Sequence, residues 1–334
     1  MRFPLHIMTD QAKHQMEMAR NKVTRFPMVL MLEPLYTCNL ACLGCTTERH
    51  TGKLKDRISV EKCLQAVDVS RAPAVSICGG EPTVYPELKE LVDGIIERKR
   101  HIYLCTNALL LDKKVFGVIP PNKRMSINVH LDGMRDTHDY VCDRQGVFDK
   151  AIEMITQAKK LGYHVVTNTT VFKETKMEEV ENLCKLLKGL GIDGMMVAPG
   201  YEYESIMDRE MFLDKQQTDE KFRRVLELSH QYRLHSTPIY LEFAAGLREL
   251  PCSPWSTVTY TPMGWKGPCY LIGQKYYEEW EDFWNGVNWE YWESRKDFKC
   301  KNCRMHSGFE ASAVQVATKD PKELFRLAMW NFVG

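Results

Sequence analysis

The sequence Cys38-Asn39-Leu40-Ala41-Cys42-Leu43-Gly44-Cys45 places three cysteines within one short segment. It follows an apolar run from Met28 to Leu35, which is typical of a buried strand. Asn39 and Gly44 interrupt any regular periodicity, and this favours a loop over a helix. The sequence therefore predicts a buried strand that ends in a loop carrying three thiols.

Three thiolates on one loop can hold three irons of a [4Fe–4S] cluster and leave the fourth iron open. The amino and carboxylate groups of S-adenosylmethionine can chelate an open iron. An electron from the cluster then cleaves the sulfur–C5′ bond and releases a 5′-deoxyadenosyl radical. Two other interpretations stay open. Positions 38, 42 and 45 also match a buried helical stripe, and zinc would need a fourth ligand, for which only Glu48 or His50 lies near.

The length and composition of the chain limit the remaining possibilities. Its 334 residues predict one large domain with an appendage, or two domains. A formal net charge of +1 gives no electrostatic reason to bind nucleic acid. Twelve cysteines without an apolar leader segment indicate a reducing compartment and metal or redox chemistry. No apolar run is long enough to cross a bilayer, so we expect a cytoplasmic protein.

Short apolar strands alternate with helical segments through the middle of the chain. After the first strand, further strands are predicted at residues 74–77, 101–105, 124–131, 163–172 and 193–197. This alternation indicates βαβ units and a parallel sheet. Six such units predict an α/β fold, a partial TIM-like (βα)6 barrel whose site lies at the carboxyl ends of the strands.

Three segments are expected along the chain. Residues 1–27 form a helical lead-in, residues 28–249 form the barrel, and residues 250–334 form a C-terminal module rich in cysteine and tryptophan but poor in strands. Residues 239–243 are expected to add one more strand to the barrel. The amphipathic lead-in and the segment 324–332 can also lie on the inner face of a membrane as peripheral contacts. Packing against the protein is the simpler interpretation of each.

Candidate binding residues follow several predicted strands. Gly79-Gly80-Glu81-Pro82 follows the second strand, where the glycines allow backbone to approach a ligand closely. Glu81 or nearby carbonyls can accept hydrogen bonds from the methionyl ammonium. Alone, this motif is a turn before a helix, but behind the cysteine loop it predicts cofactor binding. Further candidates, each also compatible with a turn or a buried polar role, are Thr106, Asn107, His130, Asp132, Asn168 and Pro199.

Seven of the remaining cysteines fall into two groups. Cys300 and Cys303 form a CxxC pair, and together with Cys252 and Cys269 they predict a second site for zinc or an iron–sulfur cluster. Outside the C-terminal module, we interpret three others as packing residues or surface thiols, namely Cys63, Cys142 and Cys184.

The cysteine loop after a first strand and the Gly-Gly-Glu-Pro motif after a second resemble the radical S-adenosylmethionine (radical SAM) superfamily. Gly44 departs from that pattern, because an aromatic residue commonly precedes the last loop cysteine there and lies near the adenine. Over nearly its whole length the chain is more specifically similar to the adenosylhopane synthase family of hopanoid biosynthesis. The segments that carry this likeness are 103–111, 129–133, 198–201 and 264–271.

This resemblance implies a reaction that the residue patterns do not show by themselves. Family enzymes add the 5′-deoxyadenosyl radical to the terminal alkene of diploptene, which gives adenosylhopane after the tertiary radical is quenched. The implied partners are a diploptene-like lipid and an electron donor such as flavodoxin or ferredoxin. In related enzymes another cysteine stands where this chain has Ser307, which leaves the ligands of the second site open.

Cys105 fits the quenching step. It ends the third predicted strand, and a thiol S–H bond is weak enough to give a hydrogen atom to a tertiary alkyl radical. A small buried hydrophobic role is the alternative. For the whole chain, two alternatives remain. One is a radical enzyme of the same build that abstracts hydrogen from another lipid or isoprenoid, and the other is a non-catalytic iron–sulfur or zinc protein that senses redox state.

Overall fold

A nine-stranded sheet runs through the part of the chain that the computed structural model describes, residues 2–202, 206 and 210–332. The side chains of Thr47, His50 and Gln274 lie outside this description. The strands are β1 Val29–Leu32, β2 Ala74–Ile77, β3 His101–Thr106, β4 Met125–His130, β5 His164–Val171, β6 Gly194–Pro199, β7 Thr257–Thr261, β8 Gly264–Pro268 and β9 Gly273–Tyr277.

The strand order is β6-β5-β4-β3-β2-β1-β7-β8-β9. Strands β1 to β6 pair in parallel in their order along the chain, as repeated βαβ units require. The α/β fold with a partial TIM-like barrel is therefore confirmed. Leucine, isoleucine and valine fill the outward face of these strands, where the helices cover them.

Fourteen helices accompany the sheet in the described residues. They are α1 Leu5–Arg20, α2 Thr47–Thr51, α3 Val60–Ser70, α4 Leu88–Glu97, α5 Leu111–Lys114, α6 Arg135–Val141, α7 Val147–Lys160, α8 Met177–Gly189, α9 Lys215–Leu228, α10 Pro238–Ala244, α11 Trp280–Gly286, α12 Trp289–Glu293, α13 His306–Lys319 and α14 Pro321–Phe332. The strand expected at 239–243 is wrong, because α10 occupies these residues. Thr237 caps its first turn, and periodicity cannot distinguish a short, wholly buried helix from a strand.

The C-terminal module contains more strand than its sequence predicts. Strand β7 pairs in parallel with β1, with Val29 opposite Thr257, and β8 and β9 continue the sheet in antiparallel fashion. The expectation of a strand-poor module is therefore wrong. The sheet is continuous across the expected boundary, because β1, which lies before residue 250, pairs with β7, which lies after it. The boundary expected there stays a prediction.

Helix α1 covers the amino ends of the strands, opposite the edge that carries the predicted site. Its Asp10 pairs with Arg124 just before β4 at 2.8 Å, and the His6 ring lies 6.1 Å from His101 at the start of β3. No helix in the described residues is long and apolar enough to cross a membrane. Helix α14 leaves Phe325 and Phe332 exposed, and peripheral membrane contact stays a prediction.

Candidate functional site

The cysteine loop and the Gly-Gly-Glu-Pro motif form one continuous surface at the carboxyl ends of β1 and β2. The Gly80 amide donates to the Leu35 carbonyl at 2.9 Å, and the Glu81 amide donates to the Thr37 carbonyl at 3.0 Å. A Cβ on Gly80 would lie 2.0 Å from the Thr37 carbonyl oxygen. Gly79 adopts a φ of +103°. Only glycine allows the two segments to approach this closely.

Glu81 is buried, and its carboxylate accepts four hydrogen bonds from the protein itself. Oε1 accepts from the Thr83 amide at 3.0 Å, the Thr83 hydroxyl at 2.6 Å and the Thr106 hydroxyl at 2.7 Å. Oε2 accepts from the Asn107 amide at 2.8 Å. Burial raises the pKa of Glu81, although these donors oppose the shift. Glu81 therefore joins the ends of β2 and β3, and the carbonyls around it are the groups left to accept from a ligand ammonium.

Asn107 continues this connection to the cysteine loop. Its Nδ2 donates to Oδ1 of Asn39 at 2.7 Å, and its Oδ1 accepts from the Leu109 amide at 3.1 Å. The Thr106 hydroxyl, besides donating to Glu81, accepts from the Ala108 amide. Thr106 and Asn107 thus lie at the site as predicted, and they hold the loop in place with polar groups that the protein already uses.

The loop cysteines fit a cluster better than the two alternatives. Residues 38–45 are not helical, since α2 begins only at Thr47, so the cysteines do not form a helical stripe. Zn–S bonds of about 2.3 Å keep two sulfurs on one zinc within about 4.6 Å of each other. Among the described side chains, the one group of three or more potential metal-ligand atoms mutually within 4.8 Å is His130, His138 and Cys142. The three loop sulfurs are therefore spaced more widely than one zinc ion requires.

A cation that the sequence analysis missed lies beside the loop. Arg49 on α2 donates from Nη1 to the Cys45 sulfur at 3.8 Å and from Nη2 to the Glu33 carboxylate at 2.9 Å. Glu33, directly after β1, is buried and orients this guanidinium. The positive charge of Arg49 complements the negative charge that a cluster bound at the loop would carry. The available signal was that Arg49 follows the last loop cysteine by only four residues.

Phe172 supplies an aromatic ring where Gly44 lacks one. A Cβ on Gly44 would lie 3.0 Å from the tip of the Phe172 ring, and a Cβ on Gly200 would lie 2.9 Å from its edge. Phe172 follows β5 and is buried, with Phe212 packed against it edge-on. The space left by Gly44 is thus occupied by a side chain from the residue that follows β5.

Cys105 lies on the inner face of the barrel. Its sulfur is 3.3 Å from the Ser76 hydroxyl on β2, and it accepts a hydrogen bond from Nδ2 of Asn128 on β4 at 3.5 Å. These contacts establish that the three side chains share one sheet face. Burial raises the pKa of Cys105, so the thiol keeps its hydrogen at neutral pH. The sequence analysis missed Ser76 and Asn128, because their roles depend on strand register.

Among the residues that the structure describes, three buried oxygens on this face have no hydrogen-bond partner. They are Oδ1 of Asn128, Oδ1 of Asn168 and the Thr259 hydroxyl. The register places Asn168 opposite His130, and it places Thr259 opposite Met31, which is level with Ser76. Buried polar atoms normally have partners, so these three match the polar groups of a bound nucleoside and cofactor. Asn168 was predicted, whereas Thr259 comes from the C-terminal module.

His130 and Asp132 form a close pair at the end of β4. Nε2 of His130 lies 2.6 Å from the Asp132 carboxylate, whose other oxygen accepts from the Thr170 amide at 2.7 Å. Burial opposes a charge on His130, but the carboxylate outweighs it and raises the pKa of His130 to about 9. Pro199 ends β6 and is buried at the same edge of the sheet. The predicted residues therefore lie at the same edge of the sheet. Both carboxylate oxygens of Asp132, however, already have partners within the protein.

The four cysteines of the C-terminal module lie around a single cavity. Cys252, Cys269, Cys300 and Cys303 all line it, together with Tyr201, Trp292, Ser307 and Phe309. No three of their sulfurs lie mutually within 4.8 Å. The structure therefore brings together the residues of the predicted second site around a cavity that Ser307 also lines.

Two family models match successive parts of the chain. Residues 32–187 match the family model of the radical SAM superfamily. These residues form a radical SAM domain. Residues 195–327 match a domain of unknown function, DUF3463. The radical SAM domain implies a [4Fe–4S] cluster and S-adenosylmethionine as cofactors. Cys38, Cys42 and Cys45 lie where the cluster would bind, and the unpartnered oxygens are available to the nucleoside.

Several characterised proteins are similar to this chain. Fe-coproporphyrin III synthase of Methanosarcina barkeri is 26% identical over 41% of this chain and 35% of its own length. The antilisterial bacteriocin subtilosin biosynthesis protein AlbA of Bacillus subtilis is 23% identical over 78% of this chain and 60% of its own length. The chain thus spans about a third to three fifths of these relatives.

A solved structure extends the likeness in fold. Streptococcus suis SuiB bound to S-adenosylmethionine superposes with a TM-score of 0.66 over 92% of this chain and 78% of SuiB. Its 19% sequence identity makes this a likeness of fold alone. The superposition covers more of the chain than the 156 residues that match the radical SAM family model. The likeness in fold to SuiB therefore extends beyond the residues that match the radical SAM family model.

Proposed function

We propose that this radical SAM enzyme adds the 5′-deoxyadenosyl radical to the terminal alkene of a diploptene-like lipid and so forms adenosylhopane. The observation that carries the proposal is the Cys105 thiol on the inner face of the barrel, held by Ser76 and Asn128. Addition to an alkene leaves a tertiary radical that needs a hydrogen atom, and the Cys105 thiol is placed to supply one. The segments similar to adenosylhopane synthases support the same substrate class.

Different side chains have different roles in the proposed reaction. Bound cluster and S-adenosylmethionine supply the adenosyl radical. Asn128 and Asn168 present unpartnered oxygens to bound ligand groups. Cys105 gives its hydrogen to the tertiary carbon, so that the S–H bond breaks, a C–H bond forms and a thiyl radical remains on sulfur. One electron from a flavodoxin-like or ferredoxin-like donor and one proton from solvent restore the thiol.

The test is anaerobic incubation of the reconstituted enzyme with S-adenosylmethionine, reductant and diploptene, followed by mass spectrometry of the products. Wild type should give the saturated adenosylated adduct, with one deuterium incorporated in deuterated water. Cys105→Ala should still cleave S-adenosylmethionine but should lose the saturated adduct. Cys184→Ala, which removes a buried thiol on α8, is the matched control. An undiminished saturated adduct from Cys105→Ala would remove Cys105 from the reaction.

A second candidate is hydrogen abstraction from another substrate, including a peptide. Its support is the similarity to AlbA, a bacteriocin biosynthesis protein. Under this alternative the same incubation yields free 5′-deoxyadenosine and no adenosylated lipid. Exchange of deuterium from a labelled substrate into 5′-deoxyadenosine would select it over alkene addition.

We infer that the C-terminal module holds a second iron–sulfur cluster bound by Cys252, Cys269, Cys300 and Cys303. The shared cavity supports binding of a metal group, and the spacing of the sulfurs favours a cluster over a single zinc ion. Wild type should then bind about eight iron atoms per chain, from two four-iron clusters. Cys300→Ser should lose about half of them, whereas Cys63→Ser on α3 should lose none. Four iron atoms in wild type, with zinc present, would contradict this assignment.

A further inference from the structure

The cavity that the four cysteines of the C-terminal module share contains one cationic side chain. Among the described residues that line it, Arg295 is the one with a formal charge. The other lining residues, apart from the cysteines, are apolar, aromatic or hydroxyl-bearing. A group held by several thiolates would bring negative charge into this space, and a buried charge needs a partner of opposite sign. Arg295 is therefore the lining residue that can supply that partner.

Both the backbone and the side chain of Arg295 place its guanidinium against the CxxC turn. Arg295 follows α12 by two residues and has a φ of +55°, a left-handed conformation that residues other than glycine seldom adopt. Its Nη2 donates to the Cys300 carbonyl at 3.3 Å and to the Cys303 carbonyl at 3.2 Å. The guanidinium carbon also lies 5.0 Å from the centre of the Phe309 ring. Arg295 is thus fixed to the turn that carries two of the cysteines.

Part of this guanidinium is not used by the protein. In the part of the chain that the structure describes, Nε of Arg295 is buried and has no hydrogen-bond acceptor. The carboxylate at salt-bridge distance from Arg295 is that of Glu249, which is 3.8 Å away and 75% exposed, so solvent screens the pair. Buried donors normally have acceptors. The Nε–H group and the positive charge are therefore available to a group bound in the cavity.

Sulfur atoms of an iron–sulfur cluster are suitable acceptors for this donor. Hydrogen bonds to the sulfurs, together with the net charge of the site, determine the reduction potential of such a cluster. Reduction adds an electron to a group that is already negative. A nearby cation therefore stabilises the reduced state more than the oxidised state, and this raises the reduction potential.

We propose that Arg295 donates a hydrogen bond from Nε to a sulfur of the second iron–sulfur cluster, and that its charge raises the reduction potential of that cluster. Arg295 is a positioning residue of the second site and is not a ligand. The inference rests on the second cluster proposed above. It is independent of the lipid proposed as substrate and of the role of Cys105.

The experiment isolates the second cluster in the otherwise unchanged chain. Cys38, Cys42 and Cys45 are all replaced by alanine, so that about four iron atoms per chain should remain. This loop variant is titrated with dithionite and redox mediators, and the reduced cluster is followed by electron paramagnetic resonance. In the same background Arg295→Gln removes the charge but keeps an amide donor. It should lower the equilibrium constant for one-electron reduction about threefold to tenfold, a shift of about 28 to 59 mV.

Two further variants separate charge from structure. Arg295→Lys keeps the charge, although without the planar fork of donors, and should recover most of the shift. Lys296→Gln removes the same charge from the next residue, which is exposed and does not line the cavity, and should keep the potential of the loop variant. If Arg295→Gln binds no iron, Arg295→Lys decides the matter. Retained iron in Arg295→Lys supports the inference, whereas loss of iron from both variants would mean that Arg295 only fixes the turn, and would overturn it.

The two ways in which the inference can fail are distinguishable. About four iron atoms in Arg295→Gln, with the potential of the loop variant, would overturn the role of Arg295 and leave the second cluster in place. No iron in the loop variant itself, or zinc in its place, would overturn both the role of Arg295 and the second cluster.

Discussion

Replacing Glu81 by glutamine tests whether the carboxylate holds the site together. Both oxygens of Glu81 accept a backbone N–H, from Thr83 at Oε1 and from Asn107 at Oε2. A glutamine amide nitrogen cannot accept, so in either orientation one buried N–H loses its partner. A hydrogen bond to a charged group contributes about 1.5 to 3 kcal/mol, and an unsatisfied buried donor costs about 1 to 3 kcal/mol. Allowing for overlap between these terms, we expect a loss of about 2 to 4 kcal/mol.

The assay is anaerobic denaturation of the metal-free protein with urea, followed by circular dichroism. Glu97→Gln near the exposed end of α4 changes the same chemical group without a buried partner, and it should lie within about 0.5 kcal/mol of wild type. The Glu81→Gln holoenzyme should also bind less iron, because Asn107 would no longer hold Asn39 in the cysteine loop. Unchanged stability and iron content in Glu81→Gln would refute a structural role for the carboxylate.

Two further predictions follow from the geometry of the same edge. Gly80→Ala should lose the cluster and destabilise the fold by about 1 to 3 kcal/mol through overpacking, since its Cβ would lie 2.0 Å from the Thr37 carbonyl oxygen. Gly189→Ala meets no atom within 4 Å and should leave thermal stability unchanged or higher, as a melting curve of each variant can show. The His130–Asp132 pair should stabilise the fold fully below the unfolded-state pKa of about 6.5. That stabilisation should disappear as the pH rises through the folded pKa of about 9. A melting temperature whose pH dependence is identical in wild type and His130→Gln would contradict this.

The amino-acid sequence alone was sufficient for the features that depend on local pattern. Apolar runs, turn residues and their spacing located the six parallel strands. Because parallel strands place their carboxyl ends at one edge, the cysteine loop, the Gly-Gly-Glu-Pro motif and Cys105 were predicted to converge there. The CxxC pair similarly indicated a second cysteine site, whose four members the structure places around one cavity.

Other features were decided by tertiary packing between residues far apart along the chain. Phe172 fills the space beside Gly44, and Cys142 meets Cys42, because β5 and α6 pack over the cysteine loop. Strand β7 joins β1, although a composition rich in tryptophan concealed it. The Glu81 carboxylate binds groups of the protein, because four hydrogen-bond donors from Thr83, Thr106 and Asn107 surround it. Sequence periodicity encodes which face of an element is buried, whereas the partner on that face is set only when the elements pack.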